Sequence, residues 1–274
     1  MDDPANSGAG TPTPPPEIDV SVAHPARVYD YLLGGKDNFP ADREAAEHVL
    51  AVAPGRRDSA RANRAWLARA VRFLAQQGIR QFLDIGTGIP TSPNVHEVAQ
   101  GIAPESRVVY VDNDPIVHVH ARALLTTSPE GATDYLDADL RDPERILKGA
   151  AQTLDFSRPV GLILCAILHL IATSDDPHGI VRRLLAALAP GSFLALSHLC
   201  RDVDEAGAAA MSAAYARDGI TLVPRSRAEI LRFFDGLELV EPGLVQVPLW
   251  RPDPGSELPA DLHHVWSFGG VARK

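Results

Sequence analysis

The rhythm of apolar positions changes at Arg80. Upstream, from His24 to Gln77, apolar residues recur at helical spacing. Residues 27–33 predict a short helix stopped at Gly34-Gly35, and Pro40 opens a second over residues 41–52 that Pro54-Gly55 closes. A third is expected over residues 58–77, with Trp66, Ala70, Phe73 and Leu74 on its apolar face and arginines opposite. Downstream, short apolar runs at residues 81–85, 108–111, 135–136, 160–165 and 192–197 read as strands. Helical patterns at residues 92–101, 115–126 and 177–189 fall between them. Such alternation predicts an α/β fold of the Rossmann-like, doubly wound kind, a mostly parallel sheet covered on both faces. Helices near residues 205–216 and 226–234 follow, then strand candidates at 237–240 and 263–268 suited to a closing antiparallel strand.

This organisation divides the chain into three parts. Residues 1–19, rich in proline and small polar residues, read as a disordered leader. Residues 20–78 form an N-terminal helical cap or lid, and residues 79–274 the sheet domain. With 274 residues, 45% hydrophobic and 22% charged, the chain can bury a sizeable core without metals or disulfides. Cys165 and Cys200, its only cysteines, have no metal-ligand spacing, and Cys165 reads as a buried thiol. A formal charge of −9 disfavours nucleic acid as a partner. No secretory signal or apolar stretch of bilayer length is visible, so a cytoplasmic protein without membrane contact is expected. The histidines, including the pair His118 and His120, form no convincing ligand set, and no catalytic metal is expected.

The chemistry concentrates where the strands end. The first is followed by Asp84-Ile85-Gly86-Thr87-Gly88: an acid, then glycines one residue apart before a helical stretch. Glycine lets a ligand approach the backbone, exposed amides welcome an anionic group, and the acid suits a cationic one. The second ends in Asp112-Asn113-Asp114-Pro115, where Asp112 is placed to accept two ribose hydroxyls and Asp114-Pro115 to start a helix. After the third, Asp139 suits an exocyclic amine of adenine and the amide of Leu140 a ring nitrogen. A nicotinamide dehydrogenase would need a third glycine where Thr91 stands.

An acid and two glycines after strand one, with an acid after each of the next two strands, resemble the class I S-adenosylmethionine-dependent methyltransferases. A narrower resemblance covers almost the whole chain after the leader. Residues 27–39 (Arg-Val-Tyr-Asp-Tyr-Leu-Leu-Gly-Gly-Lys-Asp-Asn-Phe), Arg61-Ala62-Asn63-Arg64 and Asn94-Val95-His96-Glu97-Val98 look like a bacterial S-adenosyl methyltransferase family once classed as a domain of unknown function. The resemblance implies S-adenosylmethionine as cofactor, held by Asp84, Gly86, Thr87, Gly88, Asp112, Asn113, Asp139, Leu140 and Ala166. A non-catalytic module that only binds this nucleotide would carry the same motifs. The acidic balance favours a small-molecule acceptor, and a homodimer is compatible with the reading.

Transfer of a methyl from a sulfonium is an in-line displacement, and much of its rate can come from alignment and exclusion of water. A general base helps when the acceptor is protonated; His169, just after the fourth strand, is the candidate, against the alternative of a histidine packed among leucines. Residues 29–39 mix aromatic, charged and glycine residues, as a lid would. Tyr31 and Asn38 are its expected cofactor contacts, with Gly34 and Gly35 as hinges.

Overall fold

The computed structural model describes residues 19–274 except 118, 120–126, 257, 259 and 260. The expected leader therefore lies outside the described residues up to residue 18, as do most of the helix expected at 115–126 and both His118 and His120.

Three helices come first: α1 (Pro25–Leu33), α2 (Pro40–Val52) and α3 (Arg56–Gln76). Proline opens α1 and α2, where its missing N–H costs nothing, and Gly34 ends α1 at φ 87°. The sheet is built from β1 (Gln81–Ile85), β2 (Arg107–Asp112), β3 (Ala132–Asp137), β4 (Gly161–Cys165), β5 (Phe193–Leu199), β6 (Glu238–Leu239), β7 (Val245–Gln246) and β8 (Ser267–Arg273). Its order is β3-β2-β1-β4-β5-β8-β6, with β7 also paired to β8. The first five strands run parallel, while β8 is antiparallel to β5, β6 and β7. This is a Rossmann-like, mostly parallel sheet with a closing antiparallel strand.

Alternate residues of each central strand enter opposite cores, and both sets are apolar. Phe82, Val108, Ile163 and Ala195 meet Trp66, Ala70, Val71 and Leu74 of α3 on one face. Leu83, Val109, Leu162 and Leu194 meet Ile146 of α5 (Pro143–Ala150) and Ile180, Val181 and Leu184 of α6 (Pro177–Ala186) on the other. Burial on both sides is why these strands read as continuous apolar runs. The short α4 (Val95–Gln100) follows β1 and is closed by a capping box, Asn94 with Glu97. A third core joins α1 and α2 to α7 (Glu205–Arg217) through Val28, Leu32, Ala46, Val49, Met211 and Tyr215. The last helix, α8 (Arg227–Leu231), passes into a 3-10 turn, Arg232–Phe234.

Three elements differ from the sequence expectation: α5, the two-residue β7 and the last strand. α5 has no counterpart there, although Asp142 accepts the Arg145 amide at 3.1 Å and Pro143 starts the first turn. The last strand begins at Ser267, not 263, and runs through Gly269-Gly270 to Arg273. Glycine weakens a strand signal, yet a Cβ on Gly269 would collide with the Trp66 indole, so glycine is what lets α3 lie against the sheet.

Candidate active site

Strand order reverses between β1 and β4, and a cavity of about 390 Å³ opens at the carboxyl ends of the strands there. Its size suits a small ligand, for which pockets run from about 300 to 1,000 Å³. Ten of the twelve residues expected to act line it: Asp84, Gly86, Thr87, Gly88, Asp112, Asn113, Asp139, Leu140, Ala166 and His169.

The glycine loop is tied to β2. Gly86 and Thr87 donate their amides to the Val111 carbonyl at 2.8 and 3.3 Å, and the Gly88 amide donates to Asp112 Oδ2 at 2.8 Å. Gly86 and Gly88 take φ of 74° and 68°, a region that disfavours a side chain. They differ in purpose. A Cβ on Gly86 would strike Ile167, whereas one on Gly88 would meet no protein atom within 4 Å. Gly88 thus leaves open space against the cavity, a cradle for a ligand.

Asp84 is 3% exposed and accepts the Thr87 hydroxyl at 3.1 Å. Burial pushes its pKa up to about 7, with Asp112 adding repulsion and the Thr87 hydrogen bond and Arg64 opposing it. Asp112 is also shifted up by burial, against the Gly88 and Asp114 amides that hydrogen-bond its carboxylate. Arg64 by Asp84 and His24 by Asp112 are the cations that face this pair of buried acids. Asp139 lies at the rim and is held below the ordinary carboxylate range by hydrogen bonds from Arg141, whose guanidinium grips it at 2.9 and 2.6 Å. Asn113 also donates to Asp139, at 3.1 Å, linking the loops after β2 and β3. Ala166 sits at φ 57°, uncommon for a residue with a side chain, and its amide donates to the Ser197 carbonyl and hydroxyl. Such strain concentrates at functional sites.

His169, the candidate base, lines the cavity. It is 3% exposed, and the Leu199 amide approaches Nδ1 at 3.4 Å, which makes Nδ1 the acceptor and leaves the proton on Nε2. Burial, then the neighbouring His198 and two arginines, drive its basicity well below the usual histidine value. A neutral ring with Nε2–H facing a ligand is a hydrogen-bond donor.

Tyr31 and Asn38 are not brought to the cavity. The Tyr31 hydroxyl donates to Glu47 at 2.6 Å and its ring lies under Arg57. Asn38 donates to Asp30 Oδ2 at 2.8 Å and to the Gly35 carbonyl at 3.1 Å. Asp30 also accepts the Asp37 amide at 3.0 Å, so residues 30–38 close around one carboxylate. A Cβ on Gly35 would overlap that carboxylate, which makes Gly35 a packing requirement and not a hinge.

Other residues of the N-terminal helices reach the cavity instead: His24, Tyr29, Arg56 and Arg64. His24 and Arg27 pair with Asp114 at 3.0 and 3.1 Å, which docks the start of α1 onto the loop after β2. The Tyr29 hydroxyl donates to the Ala60 carbonyl and accepts from Asn63, and burial pushes its pKa up to about 12. Asn63 also donates to the Cys165 thiol at 3.2 Å. The signal for these was the i, i+3, i+7, i+8 series Arg56, Ser59, Asn63 and Arg64, a polar stripe within α3. Arg64 is therefore not on the outer face where the arginines of this helix were expected, and Arg56 lies ahead of its expected start. Among the described residues no group of three or more His, Cys, Asp or Glu converges as a metal site, and no helix is long and apolar enough to cross a membrane.

A Rossmann-like sheet with its acid-and-glycine loop at the switch point defines the methyltransferase class. Within that class, the chain belongs to the S-adenosyl methyltransferase family, whose model matches residues 11–274. It is similar to a DUF574 family protein from Streptomyces avermitilis MA-4680, with 49% identity over 94% of this chain and 100% of that one, at a TM-score of 0.91. A protein from Thermobifida fusca YX described as a candidate methyltransferase shares 43% identity over 96% of this chain and 99% of its own, at 0.86. The plantazolicin methyltransferase BpumL, 12% identical over 91% of this chain and 94% of its own at a TM-score of 0.50, shares the fold. No curated protein matches the chain.

Proposed function

We propose that this protein binds S-adenosylmethionine at the strand ends and transfers its methyl group in line to a small-molecule acceptor. The observation that carries the reading is the convergence of Asp84, Gly88, Asp112 and Asp139 on one cavity. The residues fit the cofactor: Gly88 leaves a space no side chain fills, and the buried acids Asp84 and Asp112 line the same cavity. When bound, S-adenosylmethionine supplies a methyl made electrophilic by its sulfonium.

The chain supplies position. Asp84 balances the ligand's cationic end, Asp112 accepts ribose hydroxyls, and Asp139 with the Leu140 amide meets the adenine edge. Tyr29, Cys165 and His169 border the space left for an acceptor, and His169 orients it by donating from Nε2. A transfer that holds donor and acceptor in line and dry needs no further group on the protein, and an acceptor with a spare proton releases it to solvent.

Titration calorimetry with S-adenosylmethionine, S-adenosylhomocysteine and NADH tests this. One S-adenosylmethionine or S-adenosylhomocysteine per chain is expected, with no NADH heat. Binding of NADH alone would overturn the reading. Binding without turnover on any acceptor would leave a nucleotide-binding module.

A further inference from the structure

The cavity is lined by charges of both signs. Its acids already have cations near them: Arg64 by Asp84, His24 by Asp112 and Arg141 on Asp139. Arg56, first residue of α3, lines this cavity and also a second of about 380 Å³. Arg56 is 6% exposed. Its Nε has no hydrogen-bond partner, and among the described residues no carboxylate pairs with it. Its charge is felt at Tyr29 and His169, which places it on the acceptor side. A guanidinium left buried without an anion is costly, because its lost hydration is not replaced.

The surrounding groups do not neutralise it. Arg64 is occupied with the Thr91 and Pro93 carbonyls, and Asp204 in the second cavity caps α7 by accepting the Gly207 amide at 2.9 Å. His263 and His264 also line that second cavity. Gly55 caps α3 with no side-chain hydrogen bond, so the positive end of a 21-residue helix adds to the Arg56 charge. The walls between Arg56 and the cofactor loops include Leu170, Tyr215, Ile220 and Leu222.

We propose that Arg56 anchors an anionic group of the methyl acceptor, so that the acceptor is a small, partly apolar carboxylate or phosphate ester. The inference rests on the cofactor reading above and names the substrate class for the same site. Arg56 holds the acceptor's anion while the acids at the strand ends hold the cationic cofactor.

The test uses the full chain saturated with S-adenosylhomocysteine and titrated with phenylacetate, phenyl phosphate and the neutral phenylacetamide. At least one anion is expected to bind tenfold or more tightly than the amide, and the better anion distinguishes carboxylate from phosphate. Arg56→Gln should lose that preference and Arg56→Lys keep part of it, with S-adenosylhomocysteine affinity within twofold of wild type. If Arg56→Gln does not fold, the wild-type and Arg56→Lys preferences decide. Equal binding of all three probes, binding of none, or a preference that survives Arg56→Gln overturns the proposal while cofactor binding stands. Failure of S-adenosylhomocysteine to bind removes the cofactor reading, and this proposal with it.

Discussion

Asp84 and Asp112 are both buried acids, yet their surroundings ask different things of them. Asp112 accepts two backbone amides, from Gly88 and Asp114, and is the proposed acceptor of the ribose hydroxyls. Removing it in Asp112→Ala deletes charge-assisted bonds worth about 1.5–3 kcal/mol, so S-adenosylhomocysteine affinity should fall roughly ten- to a hundredfold by calorimetry. Unchanged affinity would remove Asp112 from the site. Asp84, whose pKa is raised to about 7, holds a proton below that pH and must lose it to meet a cation. Cofactor affinity should therefore rise from pH 6 to pH 8, by at most about tenfold per pH unit below the pKa. Binding at pH 6 should release close to one proton, measurable from heats in buffers of different ionisation enthalpy. Asp84→Asn should bind weakly with little pH dependence; a wild-type curve equally flat would show that Asp84 does not face the cation.

The segment of residues 29–39 is the element where expectation and structure part most clearly. It joins α1 to α2 through a loop closed on Asp30, with Tyr31 and Asn38 engaged away from the cavity. The adjacent glycines should respond differently to alanine. Gly34 at φ 87° has free space around it, so Gly34→Ala costs about 1–2 kcal/mol of backbone strain. Gly35→Ala drives a methyl into the Asp30 carboxylate and should cost more, read as a larger fall in Tm at about 2–4 °C per kcal/mol. Equal falls would contradict the Asp30-centred loop. Hydrogen exchange with and without S-adenosylmethionine should show new protection at residues 84–88 and 112 and little at 34–38. Strong protection at 34–38 would restore the lid.

Across the whole molecule, the buried ionisable groups pull stability in opposite directions with pH. Asp84 carries a raised pKa, so the fold holds a proton between about pH 4 and 7 that the unfolded chain has released, and stability falls as pH rises through that window. His198 is pushed down to about 3 by burial and by Arg225, which donates to its Nε2 at 2.9 Å, and His169 is shifted the same way. Their contribution is present above the unfolded value near 6.5 and is lost as pH falls from there toward 3. The cofactor-induced rise in Tm should therefore grow from pH 6 to pH 8, reaching about 2.7 kcal/mol of stabilisation at a hundredfold excess over Kd. A rise that shrinks over that range would contradict the assignment of Asp84 to the cationic end.

The sequence by itself determined the sheet and its motif loops, because both are local. Strands buried on two faces read as apolar runs, and Asp84, Gly86, Gly88, Asp112 and Asp139 each stand next to a strand end, so locating the strands located them. Only the tertiary structure decided what crosses between elements. Gly269 hid the last strand because its reason, the Trp66 ring, lies some two hundred residues away in sequence. α7 joined α1 and α2 in one core, and Tyr31 turned from the cavity while Tyr29 entered it. The Leu199 amide, thirty residues away in sequence, is what approaches His169 Nδ1, and Arg56 is a buried charge because the start of α3 reaches the cavity. Burial and hydrogen-bond partners are properties of neighbours, and neighbours distant in sequence are chosen by packing alone.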